Sequence, residues 1–451
     1  MNSDVDAPIA ASIDQTAQLD ARRNVFAFGT DIFSWNLGTF IVPVTTILAA
    51  LAAKLTEDRA LVGLVGLAWS AGWALPQLLG ARLIHGKPRK LKYVIWSGVV
   101  GRQWFLVLAL WLLFTGAVSK PLTFLLLLVC VAVFALADGV ASVAWFDVLA
   151  KTITSRTRTR LFATVTFAAT IVALLANGLV VRNIFESPLL PFPLNFGYVI
   201  LIGWVFIFIS FLGITAVREP ADPPLSAATD SHIGFFSQLT IAIRTDLVFR
   251  KLLVARLLTA FEVMAAQFYI VFAQDRLKIS DAVIGDFSTA YTVGSLIGVL
   301  ALGSVADKFG SRRVIQGSSF FQFIAPAIAF GTAVLLSTVD TLQWLGLWAM
   351  IVVQGINGLV NHSMMLGFLN YTLDVAPTDK RPMYVGTLNL LYGLMGLTPP
   401  LGGLLIDVFS RSGSQTTGYA VLFGGVCLTV LVGLWVTSKL PKHGNAEFTP
   451  I

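Results

Sequence analysis

The chain has 451 residues, of which 56% are hydrophobic and 12% are charged, with a mean hydropathy of +0.80 and a net charge of +7. Soluble domains carry about 25% charged residues, so this composition excludes an ordinary soluble protein. Continuous apolar runs of about 18 residues or more recur along the chain, and each can span the hydrocarbon core as a helix. Their lack of alternation excludes a membrane β-barrel and predicts an all-α, multi-pass membrane protein.

The first 24 residues are polar and lack the pattern of a signal peptide, so we expect a disordered cytoplasmic tail. Prolines inside the apolar runs predict kinks at Pro43, Pro76, Pro326 and the pair Pro399–Pro400. Twelve spans are predicted near 25–53, 61–84, 93–118, 121–149, 161–184, 194–217, 251–274, 284–305, 314–337, 342–373, 383–407 and 417–438.

The longest connector, residues 218–250, divides the predicted spans into two sets of six. Its first part is rich in proline, and its second part has apolar residues at helical spacing, which predicts a short amphipathic helix at the membrane surface. The predicted domains are an N-terminal bundle at 25–217, the central cytoplasmic loop, a C-terminal bundle at 251–438 and a cytoplasmic tail at 439–451.

The distribution of basic residues predicts the orientation of the chain. With the N-terminus inside, 22 Lys and Arg residues fall in inner segments and 7 fall in outer connectors. Basic residues collect on the cytoplasmic side of membrane proteins, so both termini are predicted to be cytoplasmic in a cell membrane. The same bias accounts for the positive net charge without a nucleic-acid partner.

A charged loop between predicted spans 8 and 9 carries the most specific pattern in the chain. Residues 303–313 read G-x-x-x-D-K-x-G-S-R-R, where a glycine permits a tight turn and an acid and bases can hold helix ends together. This pattern resembles the loop signature of the major facilitator superfamily. Its residues are the predicted gate or latch: Gly303, Asp307, Lys308, Gly310, Arg312 and Arg313.

The resemblance implies a fold of twelve transmembrane helices in two pseudo-symmetric six-helix bundles, with a central cavity lined by spans 1, 4, 7 and 10. The equivalent loop of the first half, residues 80–90, has Ile84 at the acidic position. The amino-acid sequence of this region resembles that of a poorly characterised bacterial branch of the superfamily. A short match between the connectors after spans 4 and 10 adds Asp147, Asp374 and Arg381 to the predicted gate residues.

Polar residues inside the membrane face interiors or water-filled cavities. Span 10 has a stripe of amide and other side chains at helical spacing, which favours a cavity wall over interhelical contacts. The predicted cavity residues are Asp31, Trp35, Asp138, Trp145, Glu262, Tyr269, Gln354, Asn357, Asn361 and Met365.

Acids on an apolar cavity wall suit proton uptake and release, and we expect proton coupling first at Glu262 and second at Asp31. Structural alternatives remain for these acids. Asp31 could lie near the cytoplasmic end of its span, and Glu262 could pair with Arg256 or Arg102. Asp138 is a weaker candidate for coupling, because it could simply neutralise Arg102.

These features predict a secondary transporter that moves a small solute by alternating access, with proton coupling as an option. The alternatives are a facilitative uniporter and a non-transporting sensor or assembly protein with the same fold. We expect a monomer in the lipid bilayer, with a small-molecule substrate and no nucleic-acid partner. The sequence holds no phosphate-binding glycine loop, metal cluster or nucleophile–base pattern, so we expect neither an enzyme nor a cofactor.

Overall fold

The computed structural model describes residues 6–115, 119–221, 235–377 and 381–441. Within these ranges, twelve helical segments are long and apolar enough to cross a membrane, as predicted. They are, in order as spans 1 to 12, Asp20–Leu55, Arg59–Ile84, Leu91–Thr115, Lys120–Thr152, Arg160–Glu186, Leu194–Thr215, Leu247–Arg276, Asp281–Ala301, Lys308–Thr338, Gln343–Asn361, Met383–Ser412 and Gln415–Ser438.

The α-helices of the described chain, some of which share a span, are α1 (Asp6–Ile41), α2 (Ala49–Leu55), α3 (Arg59–Ala74), α4 (Gln77–Ile84), α5 (Leu91–Gly101), α6 (Trp104–Thr115), α7 (Lys120–Thr152), α8 (Ser155–Leu175), α9 (Arg182–Glu186), α10 (Leu194–Thr215), α11 (Phe235–Thr245), α12 (Leu247–Ala260), α13 (Phe268–Arg276), α14 (Asp281–Thr338), α15 (Gln343–Val375), α16 (Arg381–Met395), α17 (Pro399–Ser412) and α18 (Gln415–Ser438).

An even number of spans brings both ends of the bundle pair to one face, which we name the terminal side; the other face is the opposite side. Helix α1 begins at Asp6, so the segment that we expected to be a disordered tail is helical over most of its length. Its alanine, glutamine and leucine content favours a helix. Helix α11 lies where the amphipathic segment was predicted, and residues 222–234 and 442–451 lie outside the described residues.

Several spans are interrupted, and most predicted proline sites coincide with an interruption. Pro43 precedes a π-helical turn at Val44–Leu48, Pro76 separates α3 from α4, and Pro399 begins α17. Pro326 is different because it lies inside α14, in which the non-helical residue is Gly310. A missing N–H and a ring clash explain why proline ends or bends a helix.

Two further interruptions lie at charged residues within the spans. Arg102 separates α5 from α6 in span 3, and a 3-10 turn at Phe261–Met264 separates α12 from α13 in span 7. Glu262 lies inside that turn. Such broken helices are tolerated where the backbone is buried in protein or lines a cavity.

The spans pack into two bundles that meet along two helix pairs. In the first half α1 contacts α8 and α10, and α7 contacts α3 and α5; in the second half α14 contacts α15 and α18. The bundles meet where α3 of span 2 packs on α16 and α17 of span 11, and where α14 packs on α8 and α9 of span 5.

Candidate functional site

A polar cavity of about 510 Å³ lies between the two bundles. Both halves of the chain contribute to its wall, and this volume is in the range of small-molecule sites. Its polar lining residues are Asp31, Asn36, Thr39, Thr45, Ser70, Arg102, Asp138, Ser142, Arg256, Glu262, Gln267, Tyr291, Gln322, Asn357, Asn361, Asn389 and Tyr392.

The cavity reaches the terminal-side ends of the N-terminal bundle. Its lining includes Val94, three residues after the start of span 3, and Phe162, two residues after the start of span 5. Toward the other end, the lining includes Pro43 to Thr45 in span 1. The cavity therefore extends toward the terminal side.

The N-terminal wall holds an acid and a base that neutralise each other. Arg102 Nη2 lies 3.8 Å from Asp31 Oδ1, and Ser210 links them by accepting from Arg102 at 2.8 Å and donating to Asp31 at 2.5 Å. The Trp145 indole N–H donates to Asp31 Oδ2 at 2.7 Å. The Asp31 carboxylate thus has two hydrogen-bond donors and a cation beside it.

Aromatic rings build the rest of this wall. The guanidinium of Arg102 lies 5.1 Å from the Trp35 ring centre, which is cation–π distance. Trp35 and Trp69 both stack with the Phe134 ring, at centroid distances of 5.7 and 5.8 Å. Asp138 lines the cavity and accepts a hydrogen bond from Trp73.

The C-terminal wall carries Glu262 on the 3-10 turn of span 7. Its side chain interacts with Gln322 of span 9, while its Oε1 atom is buried without a hydrogen-bond partner in the described part of the chain. Gln267, at the end of the same interruption, donates to the Gly63 carbonyl of the other bundle at 3.4 Å. Neither Arg256 nor Arg102 forms an ion pair with Glu262 in the described chain.

Arg256 also lines this wall and lies in α12, the helix that precedes the 3-10 turn with Glu262. Its guanidinium lies 4.9 Å from the Phe368 ring centre and 4.6 Å from that of Tyr392. The side chain is 6% exposed, and its Nε atom has no hydrogen-bond partner among the described residues.

The structure places most of the predicted cavity residues on the cavity wall. These are Asp31, Trp35, Asp138, Trp145, Glu262, Asn357 and Asn361. The side chain of Met365 lies outside the described residues; its neighbour Met364 lines the cavity.

Two predicted residues point elsewhere. Tyr269 is fully buried and stacks on Phe423 at 5.1 Å, because the 3-10 turn before it winds at about 3.0 residues per turn and rotates α13 relative to an ideal helix. Gln354 is fully buried beyond the cavity, where it accepts from Asn357 at 2.9 Å and donates to the Thr45 carbonyl at 3.5 Å. It is an interhelical contact, which was the alternative interpretation of the span 10 stripe.

The predicted gate residues on the terminal side contact their own bundle. Gly310 has φ +76°, the left-handed conformation expected of a turn glycine, and joins spans 8 and 9. Ser311 donates to Asp374 at 2.5 Å, and Arg312 donates to the Ser438 carbonyl at 2.9 Å. A cation at a helix C-terminus is favourable, so Arg312 ties this loop to the end of span 12.

The remaining gate residues differ in their surroundings. Lys308 is exposed, Arg313 donates to Gln316 at 3.2 Å, and the Nε atom of Arg381 is buried without a partner in the described chain. The surroundings of Gly303 and the side chain of Asp307 lie outside what the structure describes.

The corresponding loop of the first half uses different residues for a similar connection. Lys90 contacts Asp147 at 2.8 Å, and the carboxylate of Glu219 accepts from the Lys90 and Leu91 backbone N–H groups at 2.6 and 2.7 Å. Ile84, at the position where the signature has an acid, is 7% exposed and packs in an apolar cluster. Glu219 therefore supplies the negative charge at the N-terminus of α5.

On the opposite side, ion pairs join the two bundles. Lys54 contacts Asp281 at 2.6 Å, Arg59 contacts Asp275 at 2.7 Å and Arg182 contacts Asp286 at 3.3 Å. In addition, Asp407 accepts from the backbone N–H groups of Arg59 and Ala60 at 3.0 and 3.2 Å. In each pair the cation belongs to the N-terminal bundle and the acid to the C-terminal bundle.

Sequence reasoning missed this set of cross-bundle pairs. The sequence does not single these pairs out, because the outer span ends of each half carry both acids and bases, such as Glu57 and Glu186 in the first half and Arg276 and Lys278 in the second. Sequence reasoning also missed four lining residues, because only four spans were expected to line the cavity. These are Trp69 and Trp73 of span 2 and Asn389 and Tyr392 of span 11.

Two six-helix bundles around a central polar cavity are the architecture of twelve-helix membrane transporters. Residues 252–450 match the family model described as Major Facilitator Superfamily. The structure resembles the D-xylose–proton symporter (TM-score 0.65, 13% identity, 96% of this chain and 99% of that chain) and a mutant of the nucleoside transporter NupG (TM-score 0.64, 13% identity, 93% and 100%). The second half of the chain therefore resembles the Major Facilitator Superfamily in sequence, and the whole chain shares the fold of these solved transporters.

Two further proteins are similar to this chain, one in structure and one in sequence. A bacterial homologue of the iron transporter ferroportin matches with a TM-score of 0.60 in its inward-facing state (15% identity, 94% and 98% covered) and 0.56 in its outward-facing state. The "Putative glycerol-3-phosphate transporter 1" of Arabidopsis thaliana is 26% identical over 183 residues, which are 38% of this chain. The matched segment spans about a third of that curated relative, 32% of its length.

Proposed function

We propose that this protein is a secondary transporter that moves a small solute across a cell membrane by alternating access, with proton movement coupled through Glu262. Its termini are cytoplasmic, and it works as a monomer, without covalent chemistry or a resident cofactor. The observation that carries the proposal is the polar cavity between the bundles, which extends to the terminal side while ion pairs join the bundles at the opposite side.

The described conformation supports an inward-facing state under this proposal. The ion pairs and charged hydrogen bonds of the terminal side join residues of the same bundle, such as Lys90 with Asp147 and Ser311 with Asp374. On the opposite side, three ion pairs cross between the bundles, which would hold that side closed. Transport then requires the cross-bundle pairs to separate as the terminal side closes.

Glu262 supports proton coupling better than Asp31 does. Asp31 is held by Arg102, Ser210 and Trp145, so its charge is balanced within its own bundle. Glu262 lines the same cavity without an ionic partner in the described chain and lies on an interrupted helix. Its carboxyl group can therefore take up and release a proton as access changes from one side to the other.

Proton movement in proteoliposomes tests this function. A thermal-shift screen of purified protein against a metabolite panel selects the solute, and entrapped pyranine then reports internal pH when that solute is added. The wild-type protein should acidify or alkalinise the lumen, and Glu262→Gln should abolish the pH change while retaining solute counterflow.

Glu57→Gln is the matched control, because Glu57 is an exposed residue in the connector between spans 1 and 2. It should behave as wild type. Solute uptake without any pH change in the wild-type protein would show a facilitative uniporter, and the absence of both uptake and counterflow would favour the sensor or assembly alternative.

A further inference from the structure

Arg256 is a buried cation that the transport cycle described above does not use. It lies on the cavity wall in span 7, with 6% of its surface exposed. Placing a charge in such an environment is costly unless a partner of opposite charge or several hydrogen bonds accompany it. Its surroundings therefore decide whether the charge is structural or is available to a ligand.

No carboxylate of the described chain lies within ion-pair distance of Arg256, and its guanidinium donates no hydrogen bond to any described residue. Arg102, on the facing wall, is the internal comparison. It has Asp31 at 3.8 Å and donates to Ser210 at 2.8 Å. The same side chain in the same cavity is thus satisfied in one bundle and unsatisfied in the other.

The contacts that Arg256 does make leave its hydrogen-bonding capacity free. Phe368 and Tyr392 lie at cation–π distances of 4.9 and 4.6 Å, and they stabilise the charge through their faces. An aromatic face accepts no in-plane hydrogen bond from the guanidinium, whose planar N–H donors match the two oxygens of a carboxylate or phosphate.

We infer that the transported solute is a small organic anion whose carboxylate or phosphate group binds the guanidinium of Arg256. This inference rests on the proposed function and specifies its substrate class. Tyr392 lies against the guanidinium, and Asn389, one turn earlier on span 11, presents an exposed amide to the cavity. These two side chains provide donors for the rest of the anionic group.

Three probes with the same three-carbon skeleton test the inference: glycerol 3-phosphate carries a phosphate, glycerate a carboxylate, and glycerol neither. Binding is measured by the thermal shift of the purified full-length protein and by intrinsic tryptophan fluorescence, since Trp35, Trp69 and Trp145 line the cavity. At least one of the two anions should bind and glycerol should not, and the preferred anion distinguishes phosphate from carboxylate recognition.

Arg256→Gln should weaken binding of the preferred anion by about tenfold to a hundredfold, the worth of one charge-assisted hydrogen bond. Arg256→Lys, which keeps the charge but loses the two-pronged geometry, should have an intermediate effect. Arg276→Gln is the control. Arg276 ends the same span outside the cavity lining, where it donates to the Leu336 carbonyl, so the variant should bind as wild type.

The melting temperature of the ligand-free Arg256→Gln variant distinguishes a loss of binding from a loss of folding. Removal of an uncompensated buried charge should leave it unchanged or raised, so lost binding cannot be ascribed to misfolding. Binding of glycerol equal to that of the anions, wild-type affinity in Arg256→Gln, or no response to either anion would overturn the inference.

The outcome is separable from that of the proposed function. Anion binding that depends on Arg256, without uptake or counterflow in proteoliposomes, would sustain the inference and reject transport. Uptake of a neutral solute that persists in Arg256→Gln would sustain transport and reject the inference.

Discussion

Asp31 and Arg102 form a charge pair inside the membrane whose members depend on each other. Ser210 and Trp145 fix the carboxylate, and the guanidinium has no other acid as close in the described chain. Breaking a buried pair by removing one partner typically costs about 3–5 kcal/mol because the remaining charge is uncompensated. The two residues should therefore behave as a unit toward mutation.

Asp31→Asn should lower the melting temperature of the detergent-purified protein substantially, with a loss of about 3 kcal/mol or more of stability. The double variant Asp31→Asn/Arg102→Gln should recover much of that loss, since neither charge remains. Differential scanning fluorimetry of the two single variants and the double variant measures the coupling. Additive losses would show that the pair is not a unit.

At the scale of helices, glycines allow spans 2 and 11 to pack closely across the bundle interface. A Cβ atom on Gly403 would lie 1.9 Å from the carbonyl oxygen of Arg59, and one on Gly63 would lie 2.5 Å from that of Pro399. Contacts of this kind let backbones approach in the membrane. The closed arrangement of the opposite side therefore depends on the close fit of these two helices.

Gly403→Ala should push spans 2 and 11 apart at the opposite side and favour the state in which that side is open. Spin labels at Glu57 and Arg411, which are exposed and belong to different bundles, report the separation by pulsed electron paramagnetic resonance. The labelled protein needs Cys130 and Cys427 replaced, since both are free thiols.

The control for Gly403→Ala is Gly425→Ala in span 12, where a new Cβ would meet nothing within 4 Å. We expect a longer distance between the labels in the first variant and an unchanged distance in the second. Equal distributions in both variants would contradict a role for helix packing in closure.

The sequence was sufficient to predict the spans and many cavity residues, because apolar length and helical spacing report directly on them. It was not sufficient where one span meets another. Arg256 was considered only as a partner for Glu262, and the sequence contains no sign that the two do not pair. Tyr269 was misplaced because a 3-10 turn changes the helical phase by an amount that no single residue reveals.

At the scale of the whole molecule, the two bundles are joined on the opposite side by ion pairs of differing exposure. The Arg59–Asp275 side chains are 9% and 10% exposed, whereas those of Arg182 and Asp286 are 48% and 34% exposed. Asp275 also accepts a hydrogen bond from Tyr419. Buried pairs are screened little by solvent, so Arg59 and Asp275 should contribute most to closure.

Asp275→Asn should therefore shift the labelled protein toward the conformation with an open opposite side, because Arg59 loses its counterion only in the closed state. Asp286→Asn should shift it less, since an exposed pair contributes about 1 kcal/mol or less. The same spin-label pair measures both variants. A larger effect from Asp286→Asn would mean that burial does not set the strength of these contacts.

The three cross-bundle ion pairs have a consequence for the open state. When the bundles part, Lys54, Arg59 and Arg182 line one wall of the new vestibule, and Asp275, Asp281 and Asp286 line the other. Salt screens separated charges, so the balance between the closed and open arrangements of this side should depend on ionic strength.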